Sequence, residues 1–216
     1  MTMKNNEDLQ KDVQQAIQWE PMLSGTKIGV IAKDGIITLT GFVDTYSKKH
    51  VAEDAAKNVS GVRALVEKLE IKFNDSQKKS DNEIAAEVLN TLRWNLSITD
   101  QKVKVENGWV TLDGELRWNY QRESAKNAVS SILGVLGVSN NITVKPDTND
   151  EIEKKNIENA LARNWAIEEQ DVKVDVSGNN VTLTGVVHSL YQREQAERIS
   201  WNAPGVLNVM NDLIVR

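Results

Sequence analysis

The sequence predicts an α+β fold: three tandem α-β-β-α-β domains, each a three-stranded sheet with two helices packed on one face. Two observations carry this. One set of glycine, alanine and apolar columns recurs three times in register, and within each copy the apolar spacing switches from helical to strand-like and back. The segments IITLTGFV, VTLDGEL and VTLTGVV align Gly41, Gly114 and Gly185, 73 and 71 residues apart. A second glycine, followed by valine, stands twenty residues after each of these, at Gly61, Gly134 and Gly205. Ala52, Ala125 and Ala196 form another column, and the apolar pairs Leu69/Ile71, Ile142/Val144 and Leu213/Val215 close the copies. The domains are therefore expected at 6–73, 80–145 and 148–216, joined by the polar stretch 74–79 and by Pro146-Asp147.

Each element has its own reason. Leu9, Val13, Ala16 and Ile17 recur at the spacing of a helix with one buried face, and Pro21 stops that helix. Ile84/Val88/Leu92 and Ile157/Leu161 repeat the stripe. Ser80-x-x-Glu83 and Thr148-x-x-Glu151 read as capping boxes, in which hydroxyl and carboxylate satisfy free backbone donors at a helix start. A strand, a turn rich in Asp, Asn, Gly or Ser, and a second strand follow. In that second strand Ile37/Leu39, Val110/Leu112 and Val181/Leu183 alternate with Thr38/Thr40, Thr111/Asp113 and Thr182/Thr184. Period two with a polar face means that only one side of the sheet is covered by its own repeat. The second helix carries Ala52, Ala55, Ala56 and Val59, matched by Ala125, Ala128, Val129 and Ile132. Gly61, Gly134 and Gly205 are expected as left-handed caps ending it. Gly41, Gly114 and Gly185, inside a strand, predict a bulge or a close approach of the helix backbone. A unit of about 65 residues buries only ~60% of its unfolded surface, so docking between repeats is expected to add stability.

Composition narrows the function classes. The chain has 216 residues, 26 basic and 31 acidic, for a net charge of −5. That total disfavours nucleic-acid binding, which rests on neutralising phosphates. The absence of cysteine excludes disulfides, iron–sulfur clusters and thiol nucleophiles. His50 and His188 stand in unrelated columns and read as surface residues, so neither a metal nor another cofactor is expected. No stretch approaches the ~20 apolar residues of a membrane-spanning helix. A secretory signal needs an apolar run of roughly 7–15 residues, and MTMKNNEDLQKDVQQAIQWEP has none. The expectation is a cytoplasmic location if residue 1 is the native start, and a periplasmic one only if a signal has been removed. No catalytic triad, P-loop, dinucleotide fingerprint or zinc-protease sequence is present, so no catalytic residue is assigned.

The whole pattern resembles the BON (bacterial OsmY and nodulation) domain family. The resemblance is carried by Val181-Thr-Leu-Thr-Gly185-Val-Val187, Ala196, Pro204-Gly205-Val206 and Leu213-Ile-Val215, and by their counterparts in the other copies. It implies a bacterial, non-enzymatic, transport-associated binding module linked with osmotic or envelope stress and with phospholipid. A relative carrying a LysM domain implies the alternative of a cytoplasmic potassium-binding sensor that compacts on binding. The family's defining residues are core and turn residues, so no functional site transfers with them.

Candidate binding residues come from the aromatic and basic side chains outside the apolar columns. Trp19 and Trp94 share a column two residues beyond the last stripe residue of the first helix, where Trp165 of repeat 3 falls on the stripe itself. They either pack over the helix end or stand free as anchors for a lipid headgroup layer or a partner protein. Trp109 lies on the threonine face of its strand. Trp118 and Tyr120 stand at the start of a second helix, and Tyr120/Arg122 and Tyr191/Arg193 occupy matching columns. They serve either as a helix start, with Ser189-x-x-Gln192 as its capping box, or as a paired surface for phosphate or carboxylate. Trp201 lies opposite the apolar stripe of its helix, which predicts burial against another repeat. Anionic phospholipid, a protein partner or a monovalent ion at Glu168, Glu169 and Asp171 are the ligands to be tested.

Overall fold

The computed structural model describes residues 5–73, 78–96, 101–145, 154–164 and 172–216. Repeat 1 runs α1 (Asn6–Trp19), a 3₁₀ turn (Pro21–Leu23), β1 (Lys27–Lys33), β2 (Ile36–Val43), α2 (Tyr46–Lys57) and β3 (Ala64–Ile71). Repeat 2 runs α3 (Asp81–Leu96), β4 (Lys102–Glu106), β5 (Trp109–Leu116), α4 (Asn119–Ser130) and β6 (Gly137–Val144). Repeat 3 runs α5 (Lys154–Ala162), β7 (Val172–Ser177), β8 (Asn180–Val187), α6 (Leu190–Trp201) and β9 (Asn208–Val215). The three sheets have the orders β1-β2-β3, β4-β5-β6 and β7-β8-β9. The hairpins β4/β5 and β7/β8 are antiparallel, whereas β5/β6 and β8/β9 are parallel and are joined through α4 and α6. A helix must therefore cross one face of each of those sheets, as the sequence requires.

Local chemistry explains the helix ends. Asn5 caps α1 by accepting the Asp8 amide at 2.7 Å. At α3 the Ser80 amide donates to Glu83 at 2.8 Å, while the Glu83 amide donates back to the Ser80 hydroxyl at 3.4 Å. The Ser80 hydroxyl also donates to the Glu83 carboxylate at 2.7 Å, and this bond, followed by that of the Ser80 amide, holds the Glu83 carboxyl below its ordinary pKa. The expected box at Thr148 and Glu151 lies outside the described residues. Gly61, Gly134 and Gly205 all take positive φ, but each stands four residues beyond the end of its second helix, and α4 and α6 are closed by Ser131 and Asn202 in right-handed geometry. The glycines turn the chain toward the third strand instead of capping the helix.

Each repeat has its own core. Leu9, Val13 and Ile17 of α1 meet Ile37 and Leu39 of β2 and Ala52, Ala55 and Ala56 of α2. The corresponding sets are Ile84, Val88, Leu92, Val110, Leu112, Ala125 and Val129, and Ile157, Leu161, Val181, Leu183 and Ala196. Alanine on the second helix lets its backbone approach the sheet. The in-strand glycines answer to a different neighbour from the expected one. Gly41 has φ +125°, and a Cβ there would collide with the carbonyl oxygen of Lys27 at the start of β1; at Gly114 the collision would be with Gln101. The close approach is to the first strand's leading end, not to the helix.

Contacts group the chain into two units: residues 1–41, 51–69 and 148–216, and residues 42–50 and 70–147. The first unit thus joins repeats that are not adjacent in sequence. Leu190 packs on the cores of both repeat 1 and repeat 3. The Gly61 amide donates to the His188 carbonyl at 3.1 Å, and Lys57 Nζ lies 2.7 Å from Glu194 Oε1. In the second unit Tyr46 packs on the core of repeat 2, and the Ser47 hydroxyl donates to the Ser130 carbonyl at 3.1 Å. His50 and His188 are half-buried instead of lying free on the surface. His50 meets the Tyr46 ring edge-on, with centroids 4.6 Å apart, and His188 sits at the repeat 1–repeat 3 contact.

Candidate functional site

Trp19 ends α1 with 89% of its surface exposed. It borders an open groove of about 390 Å³ between α1 and α2, lined by Gln15, Ala16, Glu20, Ala55 and Asn58. Trp94 stands in the same column at 75% exposure, with the Arg93 guanidinium 5.5 Å from its ring centroid. Of the two readings these tryptophans allowed, the structure adopts exposure at both. Trp165, Glu168, Glu169 and Asp171 lie outside the described residues.

A second surface has no counterpart among the sequence candidates. With the helices on one face of the first sheet, its other face turns out Ile31, Ile36 and Val66, all exposed, together with Lys27, Lys33 and Lys68. The signal was present in the period-two alternation, because these residues stand one position from Val30, Ala32, Ile37, Leu65 and Leu69. It was masked by Thr38 and Thr40, which make the middle of the face read as polar. Elsewhere on β2, Lys72 Nζ lies 3.2 Å from the centroid of the exposed Phe42 ring, a cation–π contact.

Trp109 is half-exposed on the outward face of β5, with its indole N–H donating to the Ser139 hydroxyl at 2.8 Å. Trp118 caps α4, its amide donating to Gln121 Oε1 at 3.2 Å; it remains 43% exposed and Tyr120 61%. The arginines of the Tyr/Arg columns turn back on their own repeats. Arg193 donates to the Asn211 carbonyl of β9 at 2.9 Å, and Arg122 lies 3.4 Å from its neighbour Glu123. At α6 the Ser189 hydroxyl accepts the Gln192 amide at 3.2 Å, and Gln192 Oε1 accepts from His188. The helix-start reading accounts for these residues better than a shared anion site. Trp201, the last residue of α6, is half-buried and packs against the core of its own repeat. Among the described residues no group of three His, Cys, Asp or Glu side chains is placed to hold a metal ion, and no helix is long and apolar enough to cross a membrane.

The BON domain family matches residues 5–72, 80–146 and 149–216. The chain belongs to this family. One relative is the osmotically-inducible protein Y of Escherichia coli (strain K12), 31% identical over 127 residues. That match covers 55% of this chain and 63% of the relative, so the chain spans somewhat less than two thirds of the relative's length. Among solved structures, CdsD, a structural protein of the type III secretion system of Chlamydia trachomatis, covers 97% of this chain at 16% identity with a TM-score of 0.27. Its C-terminal domain covers 99% at 15% identity with a TM-score of 0.25.

Two of the three BON repeats share one polar device that the sequence columns did not flag. Asn140 in β6 donates to the Arg122 carbonyl at 2.8 Å, and Asn211 in β9 donates to the Arg193 carbonyl at 2.9 Å. These asparagines hold the second helix to the third strand in BON repeats 2 and 3. Repeat 1 has Glu67 in that column.

Proposed function

We propose that this chain is a non-enzymatic binding protein of the osmotic or envelope stress type and that it associates with anionic phospholipid. The observation that carries the reading is the open face of the first sheet, where Ile31, Ile36 and Val66 are exposed beside Lys27, Lys33 and Lys68. Apolar side chains framed by lysines suit a surface that is apolar beneath and negatively charged on top, with each lysine near such a surface contributing about 1 kcal/mol. The net charge of −5 opposes this locally basic face at long range, so binding should be moderate and salt-sensitive.

The test is co-sedimentation with vesicles of phosphatidylglycerol and phosphatidylcholine, set against phosphatidylcholine alone. Retention is expected on the anionic vesicles only, and raised salt should release it. Lys33→Glu with Lys68→Glu should weaken it by more than about tenfold. Equal retention on both vesicle types, or none on either, would overturn the reading.

A further inference from the structure

We propose that the outward face of sheet β4–β5–β6 is a binding platform for a neutral saccharide, centred on Trp109. The ring of Trp109 crosses onto the neighbouring strand and lies over Gly137, its register partner in β6. A Cβ at Gly137 would collide with Cε3 and Cζ3 of the ring, so only glycine lets the indole lie against that strand. The bond from the indole N–H to the Ser139 hydroxyl, 2.8 Å, fixes the ring's rotation. One ring face is thus spent on Gly137 while the side chain as a whole stays 50% exposed. The result is a rigid apolar plate already held in one orientation, which costs little entropy to use.

On the same face as this plate, Lys102, Lys104, Thr111, Asp113, Ser139 and Asn141 are polar and able to donate or accept hydrogen bonds. Thr111 pairs in register with Ser139, and Asp113 pairs with Asn141, whose amide donates to the carboxylate at 3.1 Å. Lys104 and Lys102 stand opposite Thr111 and Asp113 across the hairpin. The charges are matched: Lys104 Nζ lies 3.0 Å from Glu106 and Lys145 Nζ 3.3 Å from Glu115. A face with balanced charge favours neither a phosphate backbone nor an anionic lipid. A pyranose has the complementary chemistry, with an apolar C–H face that stacks on an aromatic ring and a rim of hydroxyls that both donate and accept. Along the strand, Trp109 to Asp113 spans about 13 Å at ~3.3 Å per residue, room for more than one sugar ring.

The other repeats lack the arrangement. Ile36 and Asn180 hold the Trp109 column, Ala64 and Asn208 the Gly137 column, and Val66 and Met210 the Ser139 column. The plate is therefore not a requirement of the fold.

Isothermal titration calorimetry of the full chain with cellohexaose, cellobiose and a thymidine oligonucleotide tests this. Saturable binding of a saccharide is expected. A hexasaccharide that binds at least tenfold more tightly than the disaccharide identifies a polymer as the natural source, and equal affinities identify a free sugar. Trp109→Ala should reduce binding at least tenfold and Trp109→Phe should restore part of it. Asp113→Ala, an outward substitution that leaves the ring in place, should weaken binding without moving the thermal transition. Absence of binding to either saccharide, binding of the oligonucleotide alone, or unchanged affinity in both Trp109→Ala and Asp113→Ala would overturn the proposal.

Discussion

Sheets β1–β3 and β4–β6 carry matching apolar side chains inward and chemically different ones outward. Inward, Ile37 and Leu39 match Val110 and Leu112, and all four are fully buried. Outward, the first sheet shows Ile36, Val66, Lys33 and Lys68, where the second shows Trp109, Ser139 and Asn141. The inward columns meet two helices and a close-packed interior, where a change of one methylene is felt. The outward columns meet solvent, so folding leaves them free to vary. The recurring residues therefore specify the fold, and binding chemistry is to be sought where the repeats disagree.

The largest effect that can test this division lies at a shared column. Gly41→Val places a branched side chain at φ +125° against the Lys27 carbonyl. It should destabilise repeat 1 by on the order of 2–4 kcal/mol, through overpacking and backbone strain. Lys68→Glu, on the outward face of β3, should stay within about 0.5 kcal/mol. Thermal unfolding followed by circular dichroism separates the two. Similar shifts from both substitutions would erase the distinction between inward and outward columns.

A smaller effect is expected where repeats touch. Tyr46, Asn119 and Leu190 share a column at the first residue of each second helix. Tyr46 packs on the core of repeat 2, Leu190 packs on the core of repeat 1, and Asn119 is buried. This column varies like an outward one and is covered like an inward one. Leu190→Ala should cost about 1–2 kcal/mol, less than a fully buried leucine because the side chain is only half-buried. Chemical denaturation of the full chain would measure it. A loss under about 0.3 kcal/mol would place Leu190 with the outward residues.

The inward columns were legible in the sequence because burial in a helix or strand imposes a period, and three copies repeat the period three times. The left-handed glycines were legible because that conformation leaves few choices of side chain. They serve the turn before the third strand and not the helix cap, since α4 and α6 already end at Ser131 and Asn202. The contacts at Leu190, Tyr46 and His188 were not, since a patch touching another repeat has no local period and need not match its counterparts. Arg122 and Arg193 read as surface cations because nothing local shows that β9 returns within reach of the Arg193 guanidinium. Trp109 was placed on the correct face, but its setting depends on Gly137, 28 residues later, and on a register that the sequence does not spell out.

The smallest effect concerns the ion pair between Lys57 and Glu194, which joins α2 to α6. Its column again varies among the repeats, with Ser130 and Trp201 as the counterparts of Lys57. Burial works to lower the pKa of Lys57, but the hydrogen bond and charge of Glu194, with Asp54 and Glu53 nearby, outweigh it and hold the ammonium above its ordinary value. A folded-state pKa above the unfolded one means that the pair's contribution is fully present below the unfolded value of about 10.5 and is lost as pH rises through the folded value. The lysine side chain is 22% exposed and the glutamate 51%, so solvent screening keeps the pair to less than about 1 kcal/mol. Lys57→Met, which keeps most of the apolar stem, should lower the melting temperature by no more than about 2–4 °C at pH 7. Scans repeated at pH 11 should bring the variant and the native chain closer together, and added salt at pH 7 should do the same. A gap that persists unchanged at pH 11 would show that Lys57 holds the repeats through its stem and not its charge. This column would then belong with the packed positions, and the boundary between conserved interior and variable exterior would run through the contact between repeats.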